Sequence, residues 1–479
     1  LFHSTAWRGG GLLFIEEYNK KLISAEEAAA LVEDGMWIEL GGAVNTALII
    51  DKYLAKRKNE LNEVKVGTFI DISHYEMLRA DPNREVFKWT SGFLLAPVRE
   101  CSKNIGVCVF KPNLYHDVPR IAREVFLNKI DIAFLPATPM DKNGYFNFGL
   151  TCSHLKALAE AARKVVIIVK KDMPWVYGGY DEVIHISEVD YVVEDDEFPT
   201  PFLPFTMPPN NEDRMIAENI LEAGLIENGS TIQVGIGGMP DSVVKIIREA
   251  GVKDLGIHTE MIGDGLLHLI NEGIVTNANK KLDRGKSVFT FTIGTRELYD
   301  YLDRNPSVAI YPVDYTNDPF VIAQQPKMLS INSAAQIDLM GQVNSEQIGL
   351  RTATCKLFQV SGTGGQLDFV MGCLASRDRK GKSILGLYST YNGDSRVLPV
   401  LDRGAAVTVP RSMVQYVVTE WGVAYLRGYS VKERALALLR LAHPEHRDWL
   451  VEEARKVGIF PPNYNPPAGK PENVLFVRE

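Results

Sequence analysis

At 479 residues the chain exceeds what a single hydrophobic core serves, so two sizeable units are expected. Its 46% hydrophobic and 23% charged residues leave ample apolar surface to bury and exclude a disordered chain, while a net charge of -8 speaks against a nucleic-acid partner. Five cysteines, odd in number and without a C-x-x-C pair, exclude a disulfide framework and a zinc knuckle and fit a reducing, cytoplasmic setting.

Residues 1–14, LFHSTAWRGGGLLF, show no period and no initiating Met, and are expected to lie outside the fold as a leader or an appended remnant. Ser24 and Glu27 make a capping box in front of the apolar residues 28–32, and Gly35 closes that helix. A strand over 37–40, a tight turn at Gly41 and Gly42, a helix over 46–54 and a strand over 64–70 follow. Residues 130–135, 165–169 and 182–187 read as further strands and 154–164 as a helix. The first domain, 15–209, is therefore expected to be an open α/β unit with a parallel or mixed sheet. The aliphatic run between Lys164 and Lys170 is far too short to cross a bilayer and fits a strand buried on both faces. Five prolines between 194 and 209 mark an extended linker.

The second domain, 210–479, carries the most informative stretch, 231–264. A short apolar strand at 232–234 meets Gly235, Gly237 and Gly238; Val243, Ile246 and Ile247 recur at helical spacing; Leu255 opens a second strand that leads to Glu260. That is a βαβ unit whose glycine turn and carboxylate share the carboxyl edge of a sheet, where open α/β sheets hold ligands. ALVEDGMWIELGGAV at 30–44 runs in step with GLIENGSTIQVGIGGMP at 224–240, which predicts an internal repeat and hence two similar open α/β domains with mostly parallel sheets. The first copy passes through Gly67, Thr68 and Phe69 with no carboxylate where the second offers Glu260. Residues 287–293 and 308–312 read as strands and 431–441 as an amphipathic helix. The last twenty residues, with five prolines, are expected to form an arm on the surface or on a partner subunit.

Three motif readings fail on named positions. A dinucleotide fingerprint needs Gly or Ala where the turn has Pro240. The Gly-Lys-Ser triplets at 285–287 and 381–383 lack the earlier glycine of a phosphate loop, the positions being Lys280 and Ser376. His258 and Glu260 form an H-x-E without the P-C-x-x-C of zinc deaminases, so no metal is expected and His258 is left a supporting place. What survives is a nest of backbone N–H groups at 235–239 and a second one at 361–369, both suited to developing negative charge, with Lys382 as a cation able to meet a phosphate. Glu260 ends an apolar strand near such donors, the arrangement that covalent catalysis on an activated acyl group needs.

At these residues the chain resembles the class I coenzyme A transferases, and most closely the fused single-chain branch that contains 4-hydroxybutyrate, butyryl and acetyl CoA-transferases. The resemblance rests on GIGGMPD at 235–241, GIHTEM around Glu260, YTNDP at 315–319, GTGGQLDF at 362–369 and TEWGVAYLRG at 419–428, in order over nearly the whole chain from about residue 20. It implies an enzyme that moves CoA between a short-chain acyl-CoA, such as 4-hydroxybutyryl-CoA or butyryl-CoA, and a carboxylate such as acetate. Glu260 would be the nucleophile and would carry CoA as a glutamyl thioester. Asn317 would contact the acyl or carboxylate group. Amides near Ile236 and in the loop of Gly362, Gly364 and Gly365 would hold oxyanions, and Gly235, Ile236, Gly237, Gly238, Met239 and Lys382 would line the CoA site. Glu420 is either a supporting carboxylate or part of a buried structural ion pair. The resemblance further implies no permanently bound cofactor, no membrane and a homodimer or larger homo-oligomer. Two alternatives stay open: an acyl-CoA hydrolase on the same scaffold, and a non-catalytic acyl-CoA binding protein.

Overall fold

The computed structural model describes residues 14–102, 109–203, 209–235, 237–349 and 357–478. The chain divides into two compact units, Leu1–Pro204 with Val288–Thr316, and Phe205–Ser287 with Asn317–Glu479.

In the first unit, helix α1 (Ala25–Ala30) starts on the expected capping box: Glu27 N donates to Ser24 Oγ at 3.1 Å, and the Glu27 carboxylate accepts from Ser24 N at 2.8 Å. Then come β1 (Trp37–Gly42), α2 (Leu48–Lys56), β2 (Val64–Phe69), β3 (Phe87–Ser91), β4 (Ile130–Ala137), α3 (Leu155–Ala161), β5 (Ala162–Val169) and β6 (Tyr191–Glu194). The strands lie in the order β3-β2-β1-β4-β5-β6, each parallel to its neighbours, with the short strand Asn45–Thr46 antiparallel on β1. Alternation along the strands explains the double burial. Ile132, Phe134, Val166 and Ile168 join one core with Ala28 and Leu54, while Ala133, Leu135, Val165 and Ile167 join another with Leu155 and Leu158. The expected strand at 182–187 is shorter, Val183–His185, and continues as a 3₁₀ turn.

The stretch 288–316 departs from the expectation of an uninterrupted second domain over 210–479. Its apolar residues, including Phe289, Phe291, Leu298 and Ile310, are buried in the first unit. Backbone bonds stitch it there: Cys152 N to Thr290 O at 3.0 Å, Thr292 N to Leu150 O at 2.9 Å, Ile310 N to Tyr177 O at 2.9 Å and Val313 N to Ser153 O at 2.8 Å. The strand expected over 287–293 breaks into Ser287–Phe289 and Phe291–Thr292.

The second unit comprises α4 (Asn211–Glu222), β7 (Thr231–Val234), α5 (Gly238–Glu249), β8 (Gly256–Ile257), β9 (Met328–Ser333), α6 (Gln366–Leu374), β10 (Lys382–Gly386), β11 (Tyr416–Thr419), β12 (Gly422–Tyr425), α7 (Val431–Leu441) and β13 (Val474–Val477). Its sheet runs β8-β7-β9-β10-β11-β12-β13, parallel as far as β11 and antiparallel beyond. The end of the chain is therefore not only a surface arm. Val474 is buried, and the apolar run VLFV finds its hydrogen bonds along the free side of β12.

Topology carries the repeat. In each unit the first strand of the βαβ pair has its partner on one side and a later strand on the other, β2-β1-β4 and β8-β7-β9. Ile38 pairs with Val66 and Ile232 with Ile257, so counting three residues on sets Phe69 at the place of Glu260. Phe69 is buried and stacks on Tyr115 with ring centroids 4.6 Å apart. The first copy nevertheless has a carboxylate two residues later: Asp71 is buried and accepts from Tyr75 Oη at 2.8 Å. Among the described residues no helix is long and apolar enough to cross a membrane.

The tight turn expected at Gly41 and Gly42 is instead the end of β1. Gly41 has a φ of +77°, and a Cβ there would stand 2.2 Å from Asn45 O. Gly41→Ala is expected to destabilise the protein by about 2 kcal/mol, seen as a lower denaturation midpoint with an unchanged denaturant slope.

Candidate active site

The βαβ unit places Glu260 by register. β7 and β8 pair Thr231 with Gly256 and Ile232 with Ile257, and His258 N extends the ladder to Ile232 O at 3.2 Å. Carried forward, that register brings Glu260 level with Gly235, at the carboxyl edge of the sheet. The other side chains arrive from two further places. Asn317 follows the one-turn helix Val313–Thr316 and precedes Pro319–Ile322, whose first turn is capped by Asp318 accepting from Phe320 N at 2.7 Å. Gly365 is the residue before α6, whose amino end points at the site.

These parts meet at one carboxyl group. Asn317 Nδ2 donates to Glu260 Oε2 at 2.7 Å, and the backbone N–H of Gly365 donates to the same carboxylate. Asn317 Nδ2 also lies 3.4 Å from Asp368 Oδ2, in the first turn of α6, so one amide nitrogen is shared by two carboxylates. Asn317 is fully buried and its Oδ1 has no hydrogen-bond partner among the described residues, since turning the amide round would set oxygen against oxygen. Burial pushes the Glu260 carboxyl up to about 7; the negative charge of Asp368 adds to the rise, and the bonds from Asn317 and Gly365 offset part of it. Gly365 is required by space, with an ordinary φ of -95°: a Cβ would sit 2.0 Å from Glu260 Oε2 and 2.1 Å from Asn317 Nδ2. In the same loop Gly364 takes a left-handed φ of +55°, and Thr363 Oγ1 ties to Glu346 Oε2 at 3.3 Å.

The first glycine turn is less free than its composition suggests. Gly235 N donates to Ile331 O at 2.9 Å as part of the sheet, so this amide is not an oxyanion donor. Ile236 lies outside the described residues. Gly237 caps α5 with a φ of +123° and open space about it. Gly238 leans on Asp213, whose Oδ2 would be 2.5 Å from an added Cβ, and Met239 is buried against Gly386. Asp241, in the first turn, is pushed up to about 6 by burial and by Asp213 and Asp264. Carboxylates thus already surround the amino end of α5 and oppose a bare anion there.

Lys382 is not brought to this edge. It opens β10, level with Leu329 near the start of β9, and its ammonium pairs with Glu227 and donates to Leu225 O at 3.0 Å. A strand's first residue lies at the amino edge of a parallel sheet, opposite the carboxyl edge that holds Glu260. Glu420 is buried and accepts from the backbone N–H of Ser389 at 2.9 Å and from its hydroxyl, which makes it an anchor for the turn after β10. His258 is buried beside Gln325, with Nδ1 3.3 Å from Gln325 Nε2. Among the described residues no group of His, Cys, Asp and Glu is arranged to hold a metal ion.

Residues 14–204 match the family model of the acetyl-CoA hydrolase/transferase N-terminal domain, and residues 294–454 that of the C-terminal domain. The chain belongs to the acetyl-CoA hydrolase/transferase family. It is 39% identical to butyryl-CoA:acetate CoA-transferase of Anaerostipes caccae, over 93% of this chain and 98% of the relative. It is 38% identical to 4-hydroxybutyrate coenzyme A transferase of Clostridium kluyveri, over 92% of this chain and 99% of the relative. Among solved structures, RipA from Yersinia pestis superposes with a TM-score of 0.82 at 34% identity, over 93% of this chain and 100% of that one. The likeness over whole chains agrees with the two open, mostly parallel α/β units described above.

Asp368 escapes a reading of the family sequence alone. An acid in the first turn of a helix is common for the sake of the helix dipole, and nothing local marks this one as facing Glu260. Gly365→Ala is expected to lower turnover by about a hundredfold through displacement of the carboxyl, and to lower the thermal midpoint as well, because the added Cβ must push aside Glu260 and the buried Asn317. A folded-state pKa of about 7 against an ordinary 4.5 means that the native protein keeps a proton the unfolded chain has released. Stability from this group is therefore full below pH 4.5 and lost as pH rises through about 7. Glu260→Gln should melt above the parent at pH higher than about 7, with the gap closing toward pH 4.5 in a series of thermal scans.

Proposed function

We propose that this family member is a CoA-transferase that exchanges CoA between a short-chain acyl-CoA and a free carboxylate, with Glu260 as nucleophile. The observation that carries the reading is the pair of donors, Asn317 Nδ2 at 2.7 Å and the Gly365 N–H, aimed at the Glu260 carboxyl group itself. The names and full-length coverage of the relatives support the same class of reaction.

The steps balance without an external energy source. A Glu260 carboxylate oxygen attacks the thioester carbonyl and expels CoA thiolate, leaving an acyl-glutamyl anhydride. The thiolate attacks the glutamyl carbonyl and releases the first acid, and the glutamyl-CoA thioester stays on the enzyme. A second carboxylate attacks that thioester to give a new anhydride, and the returning thiolate cleaves it at the acyl carbon. When thiolate adds to the glutamyl carbonyl, the oxyanion forms on Glu260's own oxygen, where Asn317 and Gly365 already donate. Those two groups are thus assigned to the glutamyl half of the exchange. The Gly235–Met239 turn, at the same sheet edge, is assigned to the CoA chain, and Lys382 takes no part.

Acids of about two to five carbons, with acetate as partner, fit the relatives' names, and one methylene shifts binding by only about 1 to 3 kcal/mol, so a narrow preference is not expected. Incubation with butyryl-CoA in the absence of acceptor should add the mass of CoA to the intact protein. The adduct should disappear on borohydride reduction and never form in Glu260→Gln. An unmodified mass in the parent would leave a binding protein as the reading, and steady CoA release without an acceptor acid would leave a hydrolase. Because the nucleophile is the ionised carboxylate, kcat/KM should climb with pH through about 7 and level off above it.

A further inference from the structure

Lys280, the residue that rules out a phosphate loop at 285–287, has no part in the exchange steps. It is 3% exposed, and its ammonium donates to two backbone carbonyls, Ile257 O at 2.8 Å and Lys286 O at 2.7 Å. Burial lowers its pKa to about 7, against the opposing pull of Asp283. A neutral amine keeps two N–H donors, so both bonds survive that titration.

The strand it touches explains why a cation is buried there. β8 is the outermost strand of its sheet and only two residues long, so among the described residues one side of it has no neighbouring strand. Backbone groups left bare on such an edge are costly when buried and let the strand shift. Residues 274–287 cover it in place of a strand. Leu255 N donates to Ile274 O at 2.9 Å, and Leu255 O accepts from Thr276 N and Asn277 N, each at 3.0 Å. At Ile257 the partners are side chains: Asn277 Oδ1 accepts from Ile257 N at 2.8 Å, and Lys280 Nζ donates to Ile257 O. Asn277 is itself fixed, with a left-handed φ of +55° and Nδ2 donating to Ser287 Oγ at 3.0 Å. The Lys280 stem lies over Gly256, where a Cβ would come within 2.7 Å of its Cγ. On the inner side Gly256 N reaches Ser230 O at 2.9 Å and His258 N reaches Ile232 O.

We propose that Lys280 and Asn277 are positioning residues for Glu260, clamping Ile257 on the open edge of β8 and so fixing where the chain delivers the carboxyl three residues later. The inference rests on the reading of Glu260 as the nucleophile. Neither residue touches Glu260; they act through the strand. A displacement of about 1 Å at a reacting group costs about a hundredfold in rate, and a clamp of this kind governs the rate at saturation more than the binding of CoA.

Rapid-quench intact-mass measurement of CoA-adduct formation, over a range of butyryl-CoA concentrations, tests this. Lys280→Met, which keeps the apolar stem, and Asn277→Ala are expected to slow adduct formation at saturation by about a hundredfold, with the half-saturating concentration nearly unchanged. Lys280→Arg, which restores donors, should recover most of the rate. Parent-like saturating rates in both loss variants, a loss confined to the half-saturating concentration, or no recovery with Lys280→Arg would overturn the clamp. Should Lys280→Met not fold, Asn277→Ala decides, because it leaves every charge in place. Absence of an adduct in the parent overturns the nucleophile reading and the clamp with it, whereas an adduct in the parent with unaffected variants overturns the clamp alone.

Discussion

The hydrogen bond from Asn317 to Glu260 is the contact on which the site depends. It joins a residue delivered by an edge strand to one held between two one-turn helices, and a third segment, the loop before α6, fits only because Gly365 has no side chain. A carboxyl group largely withdrawn from water gains its charge at a cost, and two donors on it lower that cost only in part. The result is a group poised between its two protonation states near neutrality. Asp368 tightens that balance, since its charge shares the Asn317 nitrogen and disfavours a second full charge beside it.

Much of this was legible in the sequence, for identifiable reasons. The capping box at Ser24 acts over four residues, and strands such as 165–169 are apolar runs that can only be buried on both faces. The repeat was legible because both copies set a strand, a glycine pair, a helix and a second strand in the same order. Glu260 stood out by ending an apolar strand. Long-range pairings were not legible: β13 finds its place only because β12 has an open side, and 288–316 joins the first unit only because residues 150–177 offer it carbonyls and amides. Lys382 is a different case. Its position at the beginning of a parallel strand, rather than its neighbours Gly and Ser, decided which edge of the sheet it would occupy.

The two glycine turns also differ in a way composition hides. At 362–365 an amide is spent on the carboxyl of Glu260, whereas at 235–238 the sheet takes one amide and Asp213 leans on the cap. Equal richness in glycine therefore corresponds to unequal electrostatics. The second turn favours a developing negative charge on Glu260, and the first, with Asp213, Asp241 and Asp264 close by, favours neutral or donor groups.

The excursion at 288–316 bears on how the protein is made. The first unit takes its last strands from a segment that emerges only after the whole βαβ unit of the second has been synthesised. A chain of about 200 residues contains every strand of the first parallel sheet but lacks 288–316, so the usual order of one domain finishing before the next begins does not apply. The first unit can complete its core only once residues 288–316 have been made. Separating them at the proline-rich stretch would yield a first half that lacks part of its own core.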